Sequence, residues 1–94
     1  MTLDEFRATL SSTTPPSVST LLLALWHDAR SDWDTAHALA QDVDDPSGAW
    51  VHAYLHRKEG DLGNAGYWYR RANQPNATDS LESEWDRIVE FLLK

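Results

Sequence analysis

Two histidines stand four residues apart in AWVHAYLHRKEGD, which covers residues 49–61. On a helix, His52 and His56 would project from one face, and a pair of imidazoles at this spacing can bind a transition-metal ion. Glu59 or Asp61 could add a carboxylate ligand. The general-base glutamate of the HExxH zinc-protease motif is missing, because position 53 is alanine. The pattern therefore permits a metal site but does not specify a hydrolase.

A second motif, HDARSDWDTA at residues 27–36, is echoed by HRKEGDLGNA at residues 56–65. His27 could approach His56 from an equivalent helix. The candidate metal or small-ligand site then comprises His27, Asp28, His52 and His56, with Arg57 beside it. The alternative is that these histidines cap turns and bond to carboxylates or backbone groups. The sequence favours this structural role, because a repeated histidine already has an architectural explanation.

The segment YWYRRA, residues 67–72, mixes aromatic side chains with two arginines. Tyr69 falls on the apolar stripe of the predicted helix, and its neighbours are spread around the rest of the surface. Aromatic and arginine side chains together are typical of protein recognition surfaces. The predicted partner-binding surface comprises Tyr54, Arg57, Tyr67, Trp68, Arg70 and Arg71. Alternatively, Trp68 covers a neighbouring helix while the arginines pair with the many acidic residues.

The sequence gives little support for cysteine chemistry, nucleophilic catalysis or phosphate binding. The chain has no Cys, so a disulfide scaffold, a thiolate zinc site and a cysteine nucleophile are excluded. Aspartates cluster at residues 28–34 and 42–45, where helix capping and a solvated face explain most of them. No serine or threonine belongs to an Asp–His arrangement, and no glycine-rich phosphate loop is present. We expect no cofactor, and the sequence leans away from an enzyme.

The charge and hydropathy of the chain also exclude some partners. The formal net charge is −7, which disfavours nucleic acid and anionic membrane surfaces. The longest apolar run, residues 21–26, is far shorter than the roughly 20 residues of a membrane-spanning helix. The acidic N-terminal segment is unlike a signal peptide. We therefore expect a cytoplasmic protein that binds neither nucleic acid nor membranes.

Helical periodicity dominates the sequence and predicts an all-α fold of about six short antiparallel helices. We expect one domain over residues 1–94, with helical hairpins at about 17–43 and 46–72 and a C-terminal capping helix at about 80–93. Predicted N-caps are Thr2, Ser17, Ser31, Asp45 and Asp61.

The second hairpin resembles a tetratricopeptide repeat. Gly60-Asp61, Ala65, Tyr69 and Ala72 keep that family's order of glycine, small, aromatic and small residues. In such repeats the first helix of each pair lines a groove. The resemblance places apolar residues of this chain in that groove, so we expect the final helix, with Trp85, to pack over it or to cap the stack. The segments WHDARSDWDTAH and AYLHRKEGDLGNAGYWYRRA also resemble a family of short bacterial proteins without an assigned function.

Three functional hypotheses follow. The first is a small helical interaction module that binds a protein partner or self-associates. The second is a metal-binding or small-ligand protein that uses the histidines. The third is a structural partner encoded beside a larger enzyme.

Overall fold

The computed structural model describes all residues from 1 to 94. Helices form at α1 (Leu3–Ala8), α2 (Thr20–Ala29), α3 (Trp33–Gln41), α4 (Pro46–Lys58), α5 (Leu62–Ala72) and α6 (Leu81–Leu92), and a 3₁₀ turn at Thr9–Ser11 follows α1. There is no β-strand. The prediction of an all-α chain with about six short helices is confirmed. None of the helices combines the length and the apolar character that crossing a bilayer requires.

Side-chain caps fix where most helices begin. Thr2 forms a capping box with Glu5, and Asp45 caps α4 with Pro46 in its first turn, as predicted. The expected cap of α2 at Ser17 is wrong by two residues. Ser19 takes this role by accepting a hydrogen bond from the Leu22 backbone N–H, 3.3 Å away, and α2 begins at Thr20.

The two hairpins close through the same turn, which explains the repeated motif. Ser31 and Gly60 both adopt the left-handed conformation, with φ of 66° and 88°. Asp32 and Asp61 follow them and cap α3 and α5. Their N–H groups donate to the carbonyls of the two repeated histidines at 2.9 and 3.0 Å. The predicted cap at Ser31 is therefore wrong by one residue, because that residue makes the turn.

The core is centred on α4. Every residue of this helix from Gly48 to His56 is buried, because α3, α5 and α6 all pack against it. Helix α6 lies against α1, α2 and α4, and so covers the surface that the first helices of the two hairpins share. The Trp85 indole N–H donates to the Leu25 carbonyl at 3.1 Å, which ties α6 to α2.

Candidate metal centre

Three of the four histidines converge between α3 and α4. His37 comes from α3, and His52 and His56 come from successive turns of α4. One ring nitrogen of each lies within 4.8 Å of the others, and the Nε2 atoms of His37 and His52 are 3.0 Å apart. His52 and His56 are buried, whereas His37 is half-buried. The cluster is thus a compact set of nitrogen ligands at the edge of the core.

Two tryptophans hold the imidazole rings in place. The Trp33 ring stacks on His37 with centroids 4.9 Å apart and planes at 11°. The Trp68 ring stacks on His52 with a centroid distance of 3.9 Å and planes at 10°. Trp33 is itself fixed, because its indole N–H donates to the Leu55 carbonyl at 2.8 Å. The rings are therefore oriented before any ligand binds, which is a requirement of a well-formed site.

A carboxylate sets the tautomer of His56. Its Nδ1 lies 2.6 Å from Glu59 Oε1, and an ionised carboxylate can only accept, so Nδ1 donates the proton. Nε2 is then the basic nitrogen, and it accepts a long hydrogen bond of 3.4 Å from the Asn64 amide. A carboxylate behind a histidine in this way is the common support of a metal-ligating imidazole.

Burial keeps two of the imidazoles neutral at pH 7. Burial, together with the neighbouring His37 and His56 rings, lowers the pKa of His52 to about 4. Burial and the proximity of His56 also lower the pKa of His37 below its usual value. Because a metal ion binds the neutral ring, this environment leaves nitrogen lone pairs available without competition from protons.

The spacing suits a transition-metal ion. Tetrahedral zinc with Zn–N bonds of about 2.0–2.1 Å separates its nitrogen ligands by about 3.3 Å. The His37–His52 pair is already near this distance, and the other gaps close with no more than about 1.5 Å of relative ring movement. Three imidazoles leave one coordination position for water or another ligand.

An open cavity gives access to one side of the cluster. It has a volume of about 470 Å³ and lies between the α3–α4 turn and α5. Its wall includes His52, Trp68, Arg71, Asp44 and Asp45. A hydrated ion could reach the buried His52 from this side, attracted by the two aspartates.

No protein-family model, curated protein or solved structure matches this chain.

The structure separates His27 from His52 and His56, with which the sequence analysis grouped it. His27 lies outside the cluster, where its ring meets Trp26 edge-on and its Nδ1 is 3.9 Å from Asp32 Oδ2. His37 takes its place in the cluster. The repeat pointed to His27 because it is equivalent to His56, whereas His37 has no histidine counterpart in the second hairpin. Its position is foreseeable only from the antiparallel packing of α3 on α4, since His37 and His52 lie at similar distances from the turn at 42–45.

Asp28 is buried and belongs to a core network. Its Oδ2 accepts from the Tyr54 hydroxyl and its Oδ1 from the Lys58 ammonium, both at 3.0 Å. Burial and the Asp28 carboxylate raise the pKa of Tyr54 well above its usual value. Tyr54 is therefore a neutral hydrogen-bond donor inside the protein and is not on the surface.

Arg57 is also directed inward. Its Nη1 donates to Glu84 Oε1 at 2.9 Å, and its Nη2 donates to the Asp79 carbonyl. Glu84 is fully buried and accepts further hydrogen bonds from the Tyr69 hydroxyl at 2.7 Å and the Trp50 indole at 3.2 Å. The guanidinium thus neutralises a carboxylate of the core, so that α4, α5 and α6 meet at one ionic centre.

The remaining residues of the predicted partner surface lie on α5. Tyr67 is 44% exposed and accepts a hydrogen bond of 3.0 Å from Arg71, whose guanidinium also lies over the Trp68 ring at 5.2 Å. Arg70 is exposed as well. Tyr67, Trp68 and Arg71 are in mutual contact and form an aromatic and cationic surface beside the histidine cluster.

Proposed function

We propose that this protein binds a transition-metal ion through His37, His52 and His56. The convergence of three imidazole nitrogens within 4.8 Å is the observation that carries the proposal. The stacked tryptophans, the Glu59 carboxylate behind His56 and the low pKa of His52 support it, because each favours neutral and oriented ligands.

The ligand set favours zinc, copper, nickel or cobalt over magnesium or calcium. Neutral imidazole is a good ligand for the later first-row ions, whereas the two hard cations prefer carboxylate, carbonyl and water oxygens. With three protein ligands, the ion keeps a coordination position for an exogenous group. This arrangement suits an ion that is transferred to another molecule or that binds a small ligand.

Calorimetric titration with Zn²⁺ of the protein without a histidine tag tests the proposal. We expect one ion per chain. His37→Gln removes the most exposed ligand and should weaken binding at least about 10-fold, the loss typical of a changed metal environment. His27→Gln is the matched control, because it removes the one histidine outside the cluster. Equal affinities for the wild-type protein and both variants would refute the assignment.

We propose protein binding or self-association through the α5 surface as a second function. Its support is the exposed Tyr67 ring with Arg71 packed beside it, since such side chains are enriched at binding hot spots. We also propose that the hairpins are related to tetratricopeptide repeats, which the equivalent left-handed turns at Ser31 and Gly60 support.

Sedimentation velocity tests self-association through the α5 surface. If the wild-type chain associates, Tyr67→Ala with Arg71→Ala should return it to a monomer. Arg87→Ala, at an exposed position on α6, should leave the association unchanged. A wild-type chain that is monomeric and captures the same proteins as the double variant would exclude this surface as a binding site.

A further inference from the structure

A second cavity, unrelated to the histidines, lies between α1, α2, α4 and α6. Its volume is about 360 Å³, within the range of about 300–1,000 Å³ that is typical of small-molecule sites. Its apolar wall is formed by Leu10, Tyr54, Leu81 and Trp85. Tyr54 and Trp85 are almost fully buried in the core, so this wall is fixed in position.

Each donor side chain around the cavity bonds at least one acceptor within the chain. The Tyr54 hydroxyl and the Lys58 ammonium donate to Asp28, and the Trp85 indole donates to a backbone carbonyl of α2. Arg7 forms an ion pair with Asp86 Oδ2. The two cationic side chains of the cavity, Arg7 and Lys58, are thus each held by one of its carboxylates.

The acceptors, by contrast, are in excess. Three carboxylates, Asp28, Glu82 and Asp86, line the cavity against two cationic side chains, Arg7 and Lys58. Asp86 Oδ1 is buried without any hydrogen-bond partner, and Glu82 forms no ion pair. A buried, unpaired carboxylate oxygen is costly, and a ligand that donates to it relieves that cost.

We propose that this cavity binds a small organic cation, namely a primary ammonium or guanidinium group carried on an apolar body. The cationic group donates to the Asp86 and Glu82 carboxylates, while the body lies against Trp85 and Leu81. Aromatic walls and carboxylates both favour a cation. The net charge of −7 raises the local concentration of cations around the whole molecule.

Amide and indole N–H chemical shifts, followed during titration with 2-phenylethylammonium, test this site. We expect the shifts to concentrate at the Trp85 indole and at Leu10 and Ala29, which also line the cavity. The neutral analogue 2-phenylethanol and the anionic analogue 3-phenylpropanoate should bind at least about 10-fold more weakly, because they lack the charge-assisted donor.

Substitutions on α6 separate a built site from general attraction to an acidic protein. Asp86→Asn should weaken binding of the amine about 10-fold or more, since it removes the charge at the unpaired oxygen. Glu90→Gln removes the same charge from an exposed position on α6 and should leave the affinity unchanged. Melting curves establish that both variants are folded. Equal binding of amine and alcohol, shifts centred elsewhere, or equal weakening by the two substitutions would overturn the proposal.

Discussion

At the residue scale, a buried carboxylate explains why Arg57, which the sequence analysis assigned to a partner-binding surface, is directed into the core. Glu84 has no exposed area, yet it accepts from Arg57, Tyr69 and Trp50. Such a group is stable only when its partners remain, because an unpaired ion in the core is strongly destabilising. Arg57 therefore has an architectural role that is independent of any binding partner.

Removing the carboxylate tests this role. Glu84→Ala leaves the Arg57 guanidinium unpaired in a mostly buried position, and we expect the free energy of unfolding to fall by about 3–5 kcal/mol. Urea denaturation measures the change. Glu90→Ala on the exposed side of α6 is the control and should shift the value by less than about 0.5 kcal/mol. A similar small effect of both substitutions would contradict the role given to Glu84.

The pKa of His52 predicts how the stability of the metal-free protein depends on pH. In the folded chain this ring binds a proton near pH 4, whereas in the unfolded chain it does so near its usual pKa of 6.5. Between these values the unfolded state binds more protons, so stability falls as the pH falls. We expect a loss of roughly 2 kcal/mol between pH 7 and pH 4.5 from this group.

Proton NMR titration of the His52 ring in the presence of EDTA gives the pKa directly. Urea denaturation of wild-type protein and His52→Gln at both pH values isolates its contribution, since the variant should lose less stability on acidification. A His52 ring that titrates near 6.5 would be inconsistent with the buried, tryptophan-stacked position.

At the scale of the elements, the repeated turns decide where the hairpins close. Gly60 has a φ of 88°, which costs any other residue about 1 kcal/mol. Ser31 adopts the same strained left-handed conformation at the equivalent position of the first hairpin. The repeat in the sequence is therefore mainly a repeat of turn and cap geometry, and only one of its two histidines enters the cluster.

Glycine substitutions test the turn. Gly60→Ala should lower the free energy of unfolding by about 1 kcal/mol, because alanine is strained at this φ. Gly63→Ala, inside α5 with open space around it, should raise stability by about 0.5–1 kcal/mol through helix propensity. Both are measured by urea denaturation. Effects of the same sign at the two positions would contradict the assignment of the turn to Gly60.

Much of this architecture was predictable from local sequence, and so was the shared face of His52 and His56, whereas the rest of the sites was not. Capping residues such as Asp45 and the apolar spacing of α4 depend on neighbours within one or two turns, so the helices follow from the sequence. The partnership of His37 with His52 depends on how α3 docks on α4. The inward direction of Arg57 depends on a carboxylate that α6 brings from far along the chain. Such contacts have no local signature.

At the scale of the whole molecule, tryptophan side chains join helices that are distant in sequence. Four of the five donate their indole N–H within the chain: Trp26 to Thr9, Trp33 to Leu55, Trp50 to Glu84 and Trp85 to Leu25. Trp68 makes no such bond, and instead its ring covers His52 beside an open cavity. The fifth tryptophan is thus positioned at the proposed site rather than as a link in the core.

The most direct test of the metal site is the melting temperature of the untagged protein with EDTA and with excess Zn²⁺. When the free Zn²⁺ concentration is about 100 times the dissociation constant, binding to the folded state adds about 2.7 kcal/mol to the free energy of unfolding. This raises the Tm of a domain of this size by roughly 10 °C or more. His27→Gln should show the same rise, and His37→Gln, whose binding is at least about 10-fold weaker, should show about half of that rise or less. Identical melting curves with Zn²⁺ and with EDTA would contradict the proposal that His37, His52 and His56 form a metal site.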